Sequence, residues 1–199
     1  LGLDELGRHG EERKVHAHPC ERALLKARLA VAAKLVESEQ QEDMGWSESE
    51  TSAAASRWFL CSVACLYRHN FLQHPDLSCL QAIALLVLSG RDAGSATLIA
   101  SLLSAGLSIA QDMGLHRLIT DEQWDAALKD RPARLRAQAL VDREVKKRVV
   151  WALVHSEWFA IPFKGYSLLT RLQVATPLPL NATDECVTCP SPAFVETRG

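Results

Sequence analysis

Cys186-Val187-Thr188-Cys189 holds two thiols two residues apart, the spacing of half a structural zinc site. A closed site needs four donors, and no second pair of this kind follows. His16, His18 and Cys20, near the other end of the chain, could complete the set. Cys186 and Cys189 are therefore the metal candidates, on spacing alone. Cys61 and Cys65 lie one helical turn apart in an apolar segment, where free cysteines pack like small hydrophobes. His155 and Glu157 could serve as acid and base, but residues two apart on a helix do not face each other. Lys146-Lys147-Arg148 could touch phosphates, yet one basic triplet on a slightly acidic chain reads as a solvated helix turn. The sequence has no Gly-rich phosphate loop, nucleophile elbow or His-Glu-x-x-His helix. It reads as a non-enzyme with no catalytic residues and no bound cofactor of its own.

Composition sets the frame for these residues. A chain of 199 residues suits one domain with tails and is long enough to bury a core. An apolar share of 48% argues against wholesale disorder. A net charge of -2 lacks the basic excess of a nucleic-acid surface. The sequence opens at Leu1 and not at Met, as a fragment or processed piece would. Leu1 to Glu12 has no apolar run of the signal-peptide kind. The six cysteines, Cys20, Cys61, Cys65, Cys79, Cys186 and Cys189, then read as reduced thiols. Ala93 to Gln111 is uncharged and near the length of a membrane span. The stripe of Ser95, Thr97, Ser101, Ser104 and Ser108 at helical spacing fits a helix buried in a bundle better than lipid.

The elements that must carry these residues are helical. Pro19 to Gln40 forms the first helix, with Leu24, Leu25, Ala27, Leu29, Val31, Ala32, Leu35 and Val36 as a broad apolar face. Residues 39–52 are acidic and Ser-rich and read as a solvated loop, with Trp46 expected to fold back onto the protein. A second helix covers Ala53 to Phe71. Pro75-Asp76 then breaks the chain and caps a third, nearly all-apolar helix from Leu77 to Ser89. The fourth runs from Gly94 to Met113 and stops at Gly114, where a left-handed residue is expected. Its small residues, Ala100, Ser104, Ala105, Gly106 and Ser108, would admit a neighbouring helix closely. A short helix covers Asp121 to Lys129. The longest spans Ala133 to Ala160 and is ended by Pro162; Asp142, Arg143, Glu144 and the basic triplet mark its wet side. No alternating strand pattern and no fixed repeat period appears. The class is all-α, an irregular helical bundle with antiparallel hairpins. A flexible segment at 1–18 precedes the helical domain at 19–175, and an extended Pro-marked tail follows at 176–199.

Four blocks in this chain are similar to those of a known family. Ser78-Cys79-Leu80-Gln81-Ala82 resembles its Ser-x-x-Gln-Ala helix. Ala110-Gln111-Asp112-Met113-Gly114-Leu115-His116-Arg117 is similar to its Ala-x-x-Leu-Gly-Leu-His-Arg helix end. Glu144-Val145-Lys146-Lys147-Arg148-Val149-Val150-Trp151 resembles its Glu-x-Arg-Arg-Arg-x-Trp-Trp segment, and Thr176-Pro177-Leu178-Pro179-Leu180 its Pro-Leu-Pro segment. In this order, over residues 77–184, they resemble the middle homology region of fungal zinc binuclear cluster transcription factors. The signature residues are Gln81, Gly114, Leu115, His116, Arg117, Glu144, Arg148, Trp151, Pro177 and Pro179. The chain departs from the family in having one tryptophan where the family has two, with Val150 before Trp151 and Ala152 after it.

The resemblance implies an all-helical regulatory module in the nucleus. Such a module modulates transcription driven by a six-cysteine, two-zinc DNA-binding cluster, which this sequence lacks. Zinc is then expected only in that upstream cluster, and DNA contact only through it. Protein partners or a small-molecule effector are implied, and no membrane. The other reading is a helical scaffold that binds proteins without a direct role in transcription. Gly114, Leu115, Trp151 and the triplet serve either reading, since a helix stop, apolar anchors and i,i+4 ion pairs build a scaffold before they build a site.

Overall fold

The computed structural model describes residues 19–36, 45–90 and 96–181. Among them are six α-helices, two 3-10 turns and no strand. The metal candidates Cys186 and Cys189, with His16 and His18, lie outside the described residues.

Helix α1 (Pro19–Leu35) buries a stripe of small residues, Cys20, Ala23, Ala27 and Ala30, at spacings of three and four. Small side chains let its backbone approach the next helix, and Ser62 donates its hydroxyl to the Ala23 carbonyl at 2.7 Å. The broad leucine face expected here is corrected: Leu25 and Leu35 are exposed and the alanines form the core side.

Helix α2 (Glu48–His69) begins earlier than its apolar pattern indicated. Ser47 accepts from the Glu50 N–H while the Glu50 carboxylate accepts from the Ser47 N–H at 2.8 Å, a reciprocal cap. The last part of the acidic stretch is therefore helix, since Ser and Glu in a first turn are helix-starting chemistry. The Ser47 backbone N–H, then its hydroxyl, hold the Glu50 carboxyl below its usual range. Trp46 does not tuck in; it is exposed. The helix stops at Asn70, left-handed at φ 54°, a conformation asparagine tolerates better than most residues.

Helix α3 (Leu77–Ser89) is the hub. Asp76 caps it by accepting from the Cys79 N–H at 2.7 Å. Its Leu80, Ile83 and Leu86 are fully buried between α1 on one side and the later helices on the other. Each such side chain contributes about 1.5–3 kcal/mol of burial.

Helix α4 (Ala96–Asp112) pairs with α3. Gly106 makes the close approach: a Cβ there would lie 2.9 Å from Ile83 Cγ2. Ser101, Ser104 and Ser108 face solvent, so the serine stripe is this helix's wet side and not a buried seam. No helix of the described residues is long and apolar enough to cross a membrane.

A 3-10 turn, Leu115–Arg117, follows Gly114 at φ 70°. Helix α5 (Asp121–Leu128) is capped by Thr120 and Gln123. Helix α6 (Ala133–Lys164) is the longest and packs on α3 and α4. It runs through Pro162, contrary to the expected stop, and ends at Gly165, φ 76°. The reason is Glu157, fully buried, which pairs with Lys164 Nζ and accepts from the Leu168 N–H at 2.8 Å. Those bonds hold the final turn although proline has removed one helix donor. A second 3-10 turn, Arg171–Gln173, leads into an extended segment that returns along α6.

Candidate functional site

Two places gather the chemistry-bearing side chains. The first is the face of α6 where the returning segment 174–180 is strapped down. Ala175 and Thr176 both donate backbone N–H groups to the His116 carbonyl, at 2.8 and 3.1 Å. The Thr176 hydroxyl donates to the Leu115 carbonyl and accepts from the Leu118 N–H at 3.1 Å. Trp151 donates its indole N–H to the Pro177 carbonyl at 2.9 Å, and the Leu180 N–H donates to Glu144 Oε1 at 2.7 Å. Pro179, half-buried, lies between these two anchored residues. Trp158 stands edge-on to Trp151, ring centroids 6.1 Å apart, and donates to the Leu169 carbonyl at 2.9 Å.

Of the signature residues, His116, Glu144, Trp151 and Pro177 meet along the strap, and the others play different parts. Gly114 frees the chain to turn, Leu115 is buried, and His116 gives its carbonyl to the strap while its Nδ1 is buried without a partner. Arg117 is exposed. Gln81 on α3 faces Glu144 and Arg148 on α6 across a cleft of about 570 Å³, which Arg28 of α1 also lines. Glu144 is 1% exposed, accepts from Arg148 Nε at 3.3 Å, and keeps Oε2 buried without a hydrogen bond, 3.9 Å from Lys147 Nζ.

The basic triplet corrects the sequence reading. Lys147 is fully buried and Arg143 nearly so, where solvated turns were expected. Both reach Asp121 at the start of α5, Lys147 Nζ at 2.7 Å and Arg143 Nη2 at 2.8 Å. Arg143 also lies over the Trp124 ring, 5.0 Å from its centroid. Asp142, on the exposed side, accepts from Gln138 at 3.1 Å. Partial burial alone would raise the Asp121 carboxyl; the hydrogen bonds and charges of Lys147 and Arg143 outweigh it and hold the group below its usual range. A charge pattern cannot reveal this, because the countercharge comes from another helix. His155 is exposed against the Phe159 ring while Glu157 is buried on Lys164, so the two form no acid–base pair.

The second place lies at one end of the bundle. Cys20 in the first turn of α1, His69 in the last turn of α2, and Asp76 and Cys79 at the start of α3 bring one ligand atom each within 4.8 Å of one another. Cys20 and Cys79 are disulfide-bonded, with Cα atoms 5.2 Å apart. The expectation of six reduced thiols is therefore corrected for this pair, which 59 residues of sequence separate. Packing of α1 on α3 creates the contact, and neither spacing nor composition signals it. Cys65 is a buried free thiol, and Cys61, also free, is only half-buried.

One comparison with known proteins bears on function. Over 186 residues, 90% of this chain, the sequence is 26% identical to the aurofusarin cluster transcription factor aurR2 of Gibberella zeae. The likeness supports a relationship to a fungal transcription factor. The chain spans about a quarter of that relative's length (25%). No family model matches the chain, and no solved structure matches it.

Proposed function

We propose that this chain is the regulatory, middle homology region of a fungal nuclear transcription factor. It modulates transcription driven by a zinc-cluster DNA-binding domain carried elsewhere in the protein. The carrying observation is a likeness to a fungal transcription factor that runs through 90% of the chain. The four family-like blocks support it, since their residues lie on the facing edge of α3, the end of α4 with its 3-10 turn, α6 and the strap.

The mechanism follows from that placement. The strap is joined to α6 and to the 3-10 turn by a handful of hydrogen bonds, so it can hold or release the region around Trp151 and Glu144 without unfolding the α1–α4 core. A partner or small effector that favours one arrangement shifts the population of the other. The cleft beside Gln81, Glu144 and Arg148 is where such an effector would reach α6 directly.

A reporter assay in a fungal host tests this. The full-length parent protein carrying Trp151→Ala should give altered reporter output while still binding its promoter. Output equal to wild type, or a coding sequence upstream of Leu1 that holds no six-cysteine cluster, would sink the reading. The protein-binding scaffold would then stand in its place.

A further inference from the structure

We propose that Cys20, His69, Asp76 and Cys79 form a site for one divalent transition-metal ion of the zinc type when the two cysteines are reduced. The four donors come from three helices and converge within 4.8 Å, with both sulfurs buried. A tetrahedral zinc site with Zn–S near 2.3 Å and Zn–N or Zn–O near 2.0–2.1 Å has donor–donor edges of about 3.3–3.8 Å. Small side-chain adjustments bring the cluster to those edges once the sulfurs part. Two thiolates, one imidazole and one carboxylate match a borderline-soft ion that favours four-coordination, and do not suit calcium or magnesium.

The surroundings suit the ion. Asp76 and Cys79 belong to the first turn of α3, whose N-terminal dipole favours the anionic forms that ligate. Asp76 already accepts from the Cys79 N–H, and this fixes both donors on one turn. A carboxylate has about four lone-pair positions, so capping and ligation are compatible. The ion would join the start of α1, the end of α2 and the start of α3.

The disulfide and the metal are alternative closures of one site. Two low-molecular-weight thiols break the Cys20–Cys79 bond, leaving two cysteine thiols and one external disulfide; two electrons and two protons pass to the protein. The ion then replaces both thiol protons, which go to solvent. In a reducing compartment the dithiol is the favoured form, so metal binding is its resting closure there.

Cobalt(II) is the probe. The full 199-residue chain, reduced with a phosphine under anaerobic conditions, is titrated in a background of Cys61→Ser, Cys65→Ser, Cys186→Ser and Cys189→Ser. The expected result is one cobalt per chain, with thiolate charge-transfer and tetrahedral visible bands, displaced by zinc. Cys20→Ser should abolish the bands. His69→Ala and Asp76→Asn should weaken binding at least about tenfold, as loss of a ligand costs no less than loss of a group behind it. Asp76→Asn keeps the helix cap, so it separates ligation from folding, which circular dichroism checks. Absence of the bands in the reduced background protein, or bands unchanged by His69→Ala and Asp76→Asn, would overturn the proposal. Cobalt bound only when Cys186 and Cys189 are restored would overturn it too, and assign the metal to the tail.

Discussion

Trp151 donates its indole N–H to the carbonyl of Pro177 at 2.9 Å, across 26 residues of sequence. This bond lies at the middle of the strap, between the His116 carbonyl, which takes Ala175 and Thr176, and Glu144, which takes Leu180. Trp151→Phe keeps most of the apolar ring and removes the donor. It should cost about 0.5–1.5 kcal/mol. Hydrogen exchange at the Ala175 and Thr176 amides should quicken more than exchange in α3. Uniform quickening throughout the bundle would mean that the strap does not open on its own.

Two glycines separate strain from space. A Cβ at Gly106 meets Ile83 Cγ2 at 2.9 Å in the buried seam between α3 and α4. Gly106→Ala should therefore overpack the core and cost about 1–3 kcal/mol. Ile83→Leu moves the branch away and should recover part of the loss, a coupling that a double-mutant cycle reads. Gly114 has open space but φ 70°. Gly114→Ala should cost about 1 kcal/mol, and Ile83→Leu should not change that figure. Thermal melts of the three single variants and the two doubles decide both points.

These two glycines also show what a sequence can carry. Gly114 was legible because an apolar helix gives way to polar residues just there, and the stop is a local event. The Leu77–Ser89 helix was legible for the same reason, with Asp76 as its cap. The start of α2 was missed because Glu48 and Glu50 look like loop and act as a first turn. The end of α6 was missed because Pro162 is a strong breaker overruled by the buried Glu157–Lys164 pair. Arg143 and Lys147 look solvated in the sequence because their partner Asp121 lies 22 and 26 residues away on another helix. The Cys20–His69–Asp76–Cys79 cluster was hidden for the same reason. Each residue has an ordinary local role, and only the packing of three helices joins them.

Glu157 gives the test of that overruled proline. It is fully buried, with Lys164 Nζ and the Leu168 N–H as its partners. Glu157→Gln keeps an acceptor for Leu168 but leaves the Lys164 ammonium without a countercharge. Losing one charge-assisted hydrogen bond there should cost about 1.5–3 kcal/mol. The last turn, from Pro162 to Gly165, should lose protection from exchange ahead of the rest of α6. In a Pro162→Ala background the extra backbone donor should lessen that fraying; equal fraying in both backgrounds would mean that proline is not what Glu157 offsets.

Asp121 sets the acid limit of the fold. It joins α5 to α6 through Lys147 and Arg143, and its carboxyl is held below the usual carboxylate range despite partial burial. A carboxylate with a depressed folded pKa binds protons more readily in the unfolded chain. Its stabilising share is therefore whole above its ordinary pKa, 3.8, and is lost as pH falls below that value through the depressed one. The melting midpoint should fall in that acidic window, and Asp121→Asn should flatten that part of the profile. At neutral pH the same variant leaves two buried cations facing an amide. Loss of hydrogen bonds to charged groups sets the cost at about 1.5–3 kcal/mol, at the lower end because Asp121 is partly exposed. Lys147→Met tests the same bridge from its buried side. It removes the cation along with its need for a partner, so it should cost less than Asp121→Asn. A larger loss for Lys147→Met, measured by urea unfolding at neutral pH, would mean that the bridge itself, and not the isolation of its cations, holds α5 in place.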